Sequence, residues 1–259
     1  MLSVELLKEV YFDKAPLKYQ DYLNYLIDEK ESTLIFLQGS THWPVIPNLT
    51  KKVNNEGNYI PFKGDTIVFP VKQQEIFVRI QEKVYQKANQ SLANPLKPEY
   101  FHITLHDLNN EIDIEEKDKL DKMIEQSSLL CQDILKELAI YLNKHPGQSR
   151  IALKSIGFMG PPIGIAVLFI PSTEKDYKIL MNLFELFQKI VKLSKPVKPH
   201  LSLGYFLPEE PESKKKLDLL KVLNENPNIE LELDLWELSY QKFTDMNTYI
   251  TEFQTKEFK

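Results

Sequence analysis

Two short stretches separated by 98 residues carry the same plan, His102-Ile103-Thr104-Leu105 and His200-Leu201-Ser202-Leu203. Each reads His, apolar, hydroxyl, Leu, within a run of β-branched and aromatic residues that predicts a strand. Alternate side chains of a strand share a face, so His102 and Thr104 point one way while Ile103 and Leu105 fill the other. His200 and Ser202 repeat that division. With five histidines in the chain and Ser plus Thr near a tenth of it, roughly half a His-x-[Ser/Thr] is expected by accident, so one alone means little; two in matched strand contexts carry weight. The fold must therefore mount two equivalent strands, each presenting an imidazole and a hydroxyl.

Hydrophobic periodicity supplies the elements around them. Residues 17–29 have helical spacing behind Pro16, and residues 33–58 break up into an irregular arm with a polar run from Lys51 to Gly57. His42 and Trp43 in that arm read either as loop anchors or as a cap on a site. A strand over 66–71, a helix over 75–91 and the first His strand over 100–108 come next, and residues 114–143 form a long amphipathic helix with allowance for one break. Strands over 150–158 and 163–170 flank the turn Met159-Gly160-Pro161-Pro162. A helix over 176–193 then leads through Lys195-Pro196-Val197-Lys198-Pro199 into the second His strand. A short basic helix over 213–223, with Lys214, Lys215 and Lys216 as its solvated face, precedes a closing hairpin of residues 229–240 and 247–254. Strand–helix–strand thus occurs twice, each second strand carrying the His motif. That order predicts an α+β fold of two similar lobes with helices outside. The expected division is an N-terminal helix and arm over 1–55 and a bilobal domain over 56–259.

Charge narrows the function. A net charge of −5 argues against broad binding to long duplex nucleic acid, which needs clustered cations. Of 32 cationic residues only Arg79 and Arg150 are arginines, so a phosphate must be held mainly by hydroxyls, backbone, His or Lys. Cys131 lies in an apolar helical pattern and is expected to be a buried hydrophobe. No apolar run approaches a bilayer span, and the first ten residues, with Glu5 and Glu9, do not read as a signal peptide. A cytoplasmic monomer with no membrane partner is the expectation.

The paired motif resembles the double signature of the 2H phosphoesterases. That superfamily includes 2′,3′-cyclic phosphodiesterases, 2′–5′ RNA ligase-like proteins and enzymes cleaving 2′–5′ oligoadenylates. The resemblance extends in element order from about residue 57 to 254, and Asn55-Glu56-Gly57 with Pro61-Phe62-Lys63-Gly64-Asp65-Thr66 resembles the lead-in to the first strand of an uncharacterised branch. Residues before 55 lie outside it. The resemblance implies a bilobal, pseudo-two-fold 2H phosphoesterase-like fold with antiparallel sheets facing a central groove. It also implies metal-independent phosphodiesterase activity, without a cofactor, on a nucleotide or RNA end carrying a 2′,3′-cyclic or 2′–5′ linkage, or on cyclic oligonucleotide signals.

The chemistry fits those residue types. Cleaving a phosphodiester needs a base for the attacking hydroxyl or water and an acid for the leaving oxygen, and imidazole suits both. His102 and His200 are the expected pair, with their assignment as base or acid left open. Thr104 and Ser202 would donate hydrogen bonds to non-bridging oxygens. Tyr100 and Tyr205 adjoin the motifs and read either as base or ribose contacts or as core. Arg150 and Lys154, on one face of a neighbouring strand, are candidates for steering phosphate. His106 shares the face of His102 by strict alternation and reads as groove lining or as solvent-facing.

Two rivals remain. A metal site of His102, His106 and Asp107 would require a helix, because in a strand the two imidazoles stand about 13 Å apart. A nucleotide- or RNA-end-binding module with little turnover would use the same groove.

Overall fold

The computed structural model describes residues 4–39, 46–160, 163–209 and 213–259. His42 and Trp43 lie outside the described residues. The strands are β1 (Tyr11–Phe12), β2 (Ala15–Pro16), β3 (Gly64–Pro70), β4 (His102–Asn110), β5 (Arg150–Met159), β6 (Gly164–Pro171), β7 (His200–Tyr205), β8 (Glu230–Asp234), β9 (Ser239–Asp245) and β10 (Thr248–Gln254). The helices are α1 (Tyr19–Gly39), α2 (Pro47–Thr50), α3 (Gln74–Ala88), α4 (Lys117–Lys144), α5 (Glu174–Phe187) and α6 (Ser213–Leu223).

β1 and β2 form a small hairpin, and the other strands form two four-stranded antiparallel sheets in the orders β10-β9-β3-β4 and β7-β6-β5-β8. The two His strands are the edges that meet, since β4 and β7 contact one another across the lobes. Each pairs with the strand preceding it in its own strand–helix–strand unit, β3-α3-β4 and β6-α5-β7, which gives the pseudo-two-fold relation. The fold is α+β, with two lobes facing a central groove.

Several elements differ from the sequence reading. α1 does not stop at Glu29 but runs to Gly39, because Ser32 and Thr33 turn their hydroxyls back onto the Glu29 carbonyl and remain within the helix. The segment read as one strand over 229–240 is two strands in different sheets. β8 pairs with β5, a turn capped by Asp234 accepting from the Trp236 amide comes after it, and β9 begins the hairpin with β10 in the other sheet. α5 ends at Phe187 rather than near residue 193. There Gln188 folds back, its side chain accepting from the Leu193 amide and donating to the Leu193 carbonyl. α4 is unbroken, and Cys131 is buried on it.

The core continues from both sheets into the N-terminal segment. Tyr22 and Leu26 of α1 are buried, and the Tyr22 and Tyr19 hydroxyls donate to the carbonyls of Val197 and Pro171 at 2.8 Å. In the first lobe α4 packs on β3, β4 and β9, tied by a buried polar cluster. Asp65 accepts from the backbone and side chain of Asn109 and from Tyr240, and Asn109 also donates to Ser127.

One feature recurs in the two His strands. Thr104 lies opposite Val68 but His106 opposite Ile67, which leaves Leu105 unpaired. Ser202 lies opposite Ala166 but Gly204 opposite Ile165, which leaves Leu203 unpaired. Each is a β-bulge placed immediately after the hydroxyl, and in a bulge two successive side chains turn to one side before alternation resumes. Leu105 with His106, and Leu203 with Gly204, accordingly face the core. Gly204 is required there because a Cβ would collide with the hydroxyl of Tyr85 on α3. Gly204→Ala is expected to cost about 1–3 kcal/mol of stability through overpacking. Combination with Tyr85→Phe should recover part of that loss in thermal or urea denaturation.

Candidate active site

A groove of about 560 Å³ lies between the sheets and is lined by both halves of the repeated motif: His102 and Thr104 from β4, His200 and Ser202 from β7. The imidazoles are half-buried and held alike. The His102 Nδ1 sits 2.7 Å from the Tyr100 carbonyl, and the His200 Nδ1 sits 2.7 Å from the Lys198 carbonyl. A carbonyl only accepts, so Nδ1 carries the proton of each neutral ring and Nε2 keeps its lone pair. Neither Nε2, nor the hydroxyl of Thr104 or Ser202, has a hydrogen-bond partner among the described residues. Four polar groups in two matched pairs are thus left without partners among the described residues in one groove.

Burial sets their charge. It pushes His102 from 6.5 down to about 4, with the Tyr100 carbonyl opposing the shift and His200 adding to it. Burial also lowers His200, against the Lys198 carbonyl and the charge of Asp107. Desolvation disfavours the imidazolium, and in the free protein both histidines are therefore neutral at pH 7.

Of the other residues singled out in the sequence, Tyr100 and Tyr205 line the groove. Tyr100 packs against Tyr249 with ring centroids 6.0 Å apart, and Tyr205 meets Tyr59 edge-on at 5.9 Å. Arg150 does not reach it. It pairs with Glu232 beside a separate cavity of about 240 Å³, because β5 lies third from the His200 edge of its sheet. Lys154, on the same strand, is exposed and absent from the groove wall. His106 is neither groove lining nor solvent-facing. The bulge turns it into the core, where its Nδ1 lies 2.6 Å from the Asp107 carbonyl and its ring packs on Phe184 at 4.9 Å.

The structure adds residues that the sequence reading missed. Asp107 faces the groove, one place past the residue that alternation selects, and Tyr205 takes the equivalent place after the bulge in β7. Tyr249 of β10 lies 4.9 Å from the His102 ring, ring centroid to ring centroid. Glu29 of α1 reaches the groove rim, where it accepts from Lys198 at 2.8 Å, and Lys52 lines the wall from the arm. Among the described residues no group of three or more His, Cys, Asp or Glu is placed to hold a metal ion. Nor is any described helix long and apolar enough to cross a membrane.

Comparison with known proteins bears on the fold. No protein-family model and no curated protein matches the chain. Among solved structures the chain is similar to ATU0111, a conserved protein of unknown function from Agrobacterium tumefaciens. Identity is 17%, coverage 86% of this chain and 98% of that one, and the TM-score 0.60. It is more distantly similar to TT0787 of Thermus thermophilus (14% identity, 74% and 96% covered, TM-score 0.44) and to E. coli LigT complexed with NADP+ (11%, 73% and 94%, TM-score 0.30). The first likeness spans nearly all of its neighbour and shows a shared fold. That fold is consistent with the 2H phosphoesterase-like arrangement; the other two likenesses are too remote to carry argument.

The tautomers are directly measurable. Nitrogen-15 NMR of the free protein at pH 7 should show both groove imidazoles neutral and protonated on Nδ1, with His102 charging only near pH 4. An imidazolium at His102 at pH 6, or one predominating at either position at pH 7, would contradict the burial argument.

Proposed function

We propose that the groove is the active site of a phosphodiesterase acting on a nucleotide or RNA-end phosphodiester, 2′,3′-cyclic or 2′–5′ linked, with His102 and His200 exchanging roles as general base and general acid. The observation that carries this reading is the matched pair of imidazoles, each with Nδ1 tied to a backbone carbonyl and Nε2, like the two hydroxyls of the same groove, without a partner among the described residues.

In the proposed reaction, a neutral imidazole takes the proton of an attacking water or ribose hydroxyl through Nε2. The other, protonated at Nε2, passes its proton to the leaving oxygen. Thr104 and Ser202 donate to the non-bridging oxygens, where negative charge concentrates in the transition state. The fixed Nδ1–H donors hold the rings and stabilise the imidazolium, as a carbonyl partner does when the ring becomes charged. Tyr100 and Tyr205 offer faces for a base or ribose. These steps use only groups the chain supplies, and the 2H resemblance of the motifs agrees with them.

Charge distinguishes the free protein from its substrate complex. A bound phosphodiester brings a negative charge beside both rings and favours the imidazolium that burial otherwise disfavours. The pH dependence of the rate then has a definite sign. In the free enzyme the acid must be protonated with a pKa below 6.5, so kcat/KM should fall as pH rises through that pKa and be bell-shaped with its maximum on the acid side. The kcat profile reports the complex and should lie at higher pH.

The test is hydrolysis of 2′,3′-cyclic nucleotides and 2′–5′ linked oligonucleotides in EDTA, scored by product. Hydrolysis of at least one is expected. His102→Ala and His200→Ala should each lose about 10²–10⁴-fold in kcat, and Thr104→Val or Ser202→Ala less. Full activity in both histidine variants would sink the proposal. The position of the phosphate in the product, 2′ or 3′, identifies which oxygen received the proton.

A further inference from the structure

The arm ahead of the first lobe, outside the resemblance, places one cation in the groove. Lys52 Nζ lies 4.8 Å from the centroid of the Phe62 ring and 5.6 Å from that of Tyr205. No carboxylate pairs with it among the described residues, whereas Lys198 on the same wall is matched by Glu29 at 2.8 Å. Burial lowers the lysine's pKa, and Asp107 and Asp113 act on it only as more distant charges in the opposite sense. A half-buried ammonium facing two aromatic rings without a counter-ion is held at a desolvation cost that ring contacts only partly offset.

Its position is built rather than incidental. The Lys52 amide donates to Leu49 and its carbonyl accepts from Ile60, while Val53 and Tyr59 form a bridge across the loop. Gly57 closes that loop at φ +79°, where a side chain would be strained, and its carbonyl accepts from Asn94. Tyr59 donates to the Asn94 carbonyl at 2.7 Å. The loop is thereby fastened to the segment between α3 and β4, which is itself bonded to the end of β7, and the lysine is carried to a fixed place on the wall.

The ammonium also stands apart from the histidines. His102 contacts Tyr249, Tyr249 contacts Phe243, Phe243 contacts Phe62, and Phe62 lies beneath Lys52. On the other strand Tyr205 lies five residues beyond His200, past the bulge, at most about 16 Å along the strand. A scissile phosphate between the imidazoles therefore leaves Lys52 for a different anion on the same substrate.

We infer that Lys52 is a subsite for a second phosphate, and that the preferred substrate class is a phosphodiester bearing a further phosphate group besides the one cleaved. This rests on the groove reading above. The further phosphate is either a terminal monophosphate or a neighbouring phosphodiester; their shared chemistry is an anion of one or two charges at a distance from the scissile bond. In a protein of net charge −5 that anion is attracted by a local cation rather than by the overall field.

The test is equilibrium binding by calorimetry to the wild type, Lys52→Met and Lys52→Arg, using product-like ligands that are not turned over. Three ligands suffice: adenosine 2′-monophosphate, the same nucleotide with a 5′-phosphate, and a 2′-phosphorylated dinucleotide with an internal 2′–5′ phosphodiester and no 5′-phosphate. Wild type should bind one or both of the last two about tenfold more tightly than the first, and which of them gains separates terminal from internal phosphate. Lys52→Met should lose that gain while holding the monophosphate within twofold, and its log-affinity slope against log salt should be shallower by about one. Lys52→Arg should retain the gain. Equal affinity of wild type for all three ligands, a gain that survives in Lys52→Met, or no binding at all overturns the inference. Hydrolysis without Lys52 dependence removes the subsite and leaves the phosphodiesterase reading standing. Lys52-dependent binding without hydrolysis of any diester does the reverse.

Discussion

In β4 and β7 the residue after the hydroxyl has no partner across the ladder, and the alternation begun at His102 and His200 breaks there. A bulge on an edge strand both bends the strand and re-aims the side chains beyond it. Here the two bulges occupy equivalent places in two lobes and turn His106 and Gly204 to the core side beside Leu105 and Leu203. They also decide which residues share the groove with the imidazoles. Without the extra residue His106 would stand beside Thr104 and Asp107 would be buried. With it, His106 packs on Phe184 while Asp107 and Tyr205 line the groove. The polar content of the site depends on one residue in each strand.

Electrostatics depend on the same placement. Both histidines are tied to the carbonyl two residues earlier in the chain, an identical local bond on each side of the pseudo-two-fold. Burial in a groove walled by Tyr100, Tyr205 and Tyr249 removes the water that would stabilise an imidazolium. The resulting pair is neutral in the free protein and suited to an anionic ligand that restores one proton. The N-terminal segment completes the enclosure, with Tyr22 buried against the second lobe and Glu29 and Lys52 on the groove wall.

Much of this was legible in the sequence, and the failures have physical causes. Helices with a wide apolar stripe, α3 and α4, and the strands around both motifs were readable because their periodicities are long and regular. The His–hydroxyl pairs were readable because two adjacent alternations precede the bulge. Beyond Thr104 and Ser202 strict alternation fails, since a bulge shifts the register without a residue type of its own to mark it. Arg150 and Lys154 were chosen by facing along β5, but facing does not give a strand's rank in its sheet, and only the Met159 end of β5 reaches the groove. The break at Asp234 was hidden in a continuous apolar alternation, and its signal was the local one of a carboxylate two residues ahead of the amide it caps. Lys52 sat in a polar run that reads as solvated loop; only its packing on Phe62 and Tyr205 distinguishes it.

The central claim is that one phosphate sits between two imidazoles and two hydroxyls. A crystal structure of the protein with a nucleoside 2′- or 3′-monophosphate tests it most directly. The expected result places phosphate oxygens within hydrogen-bond distance of His102 Nε2, His200 Nε2, the Thr104 hydroxyl and the Ser202 hydroxyl together. A phosphate bound elsewhere, with both Nε2 atoms left free, would contradict it.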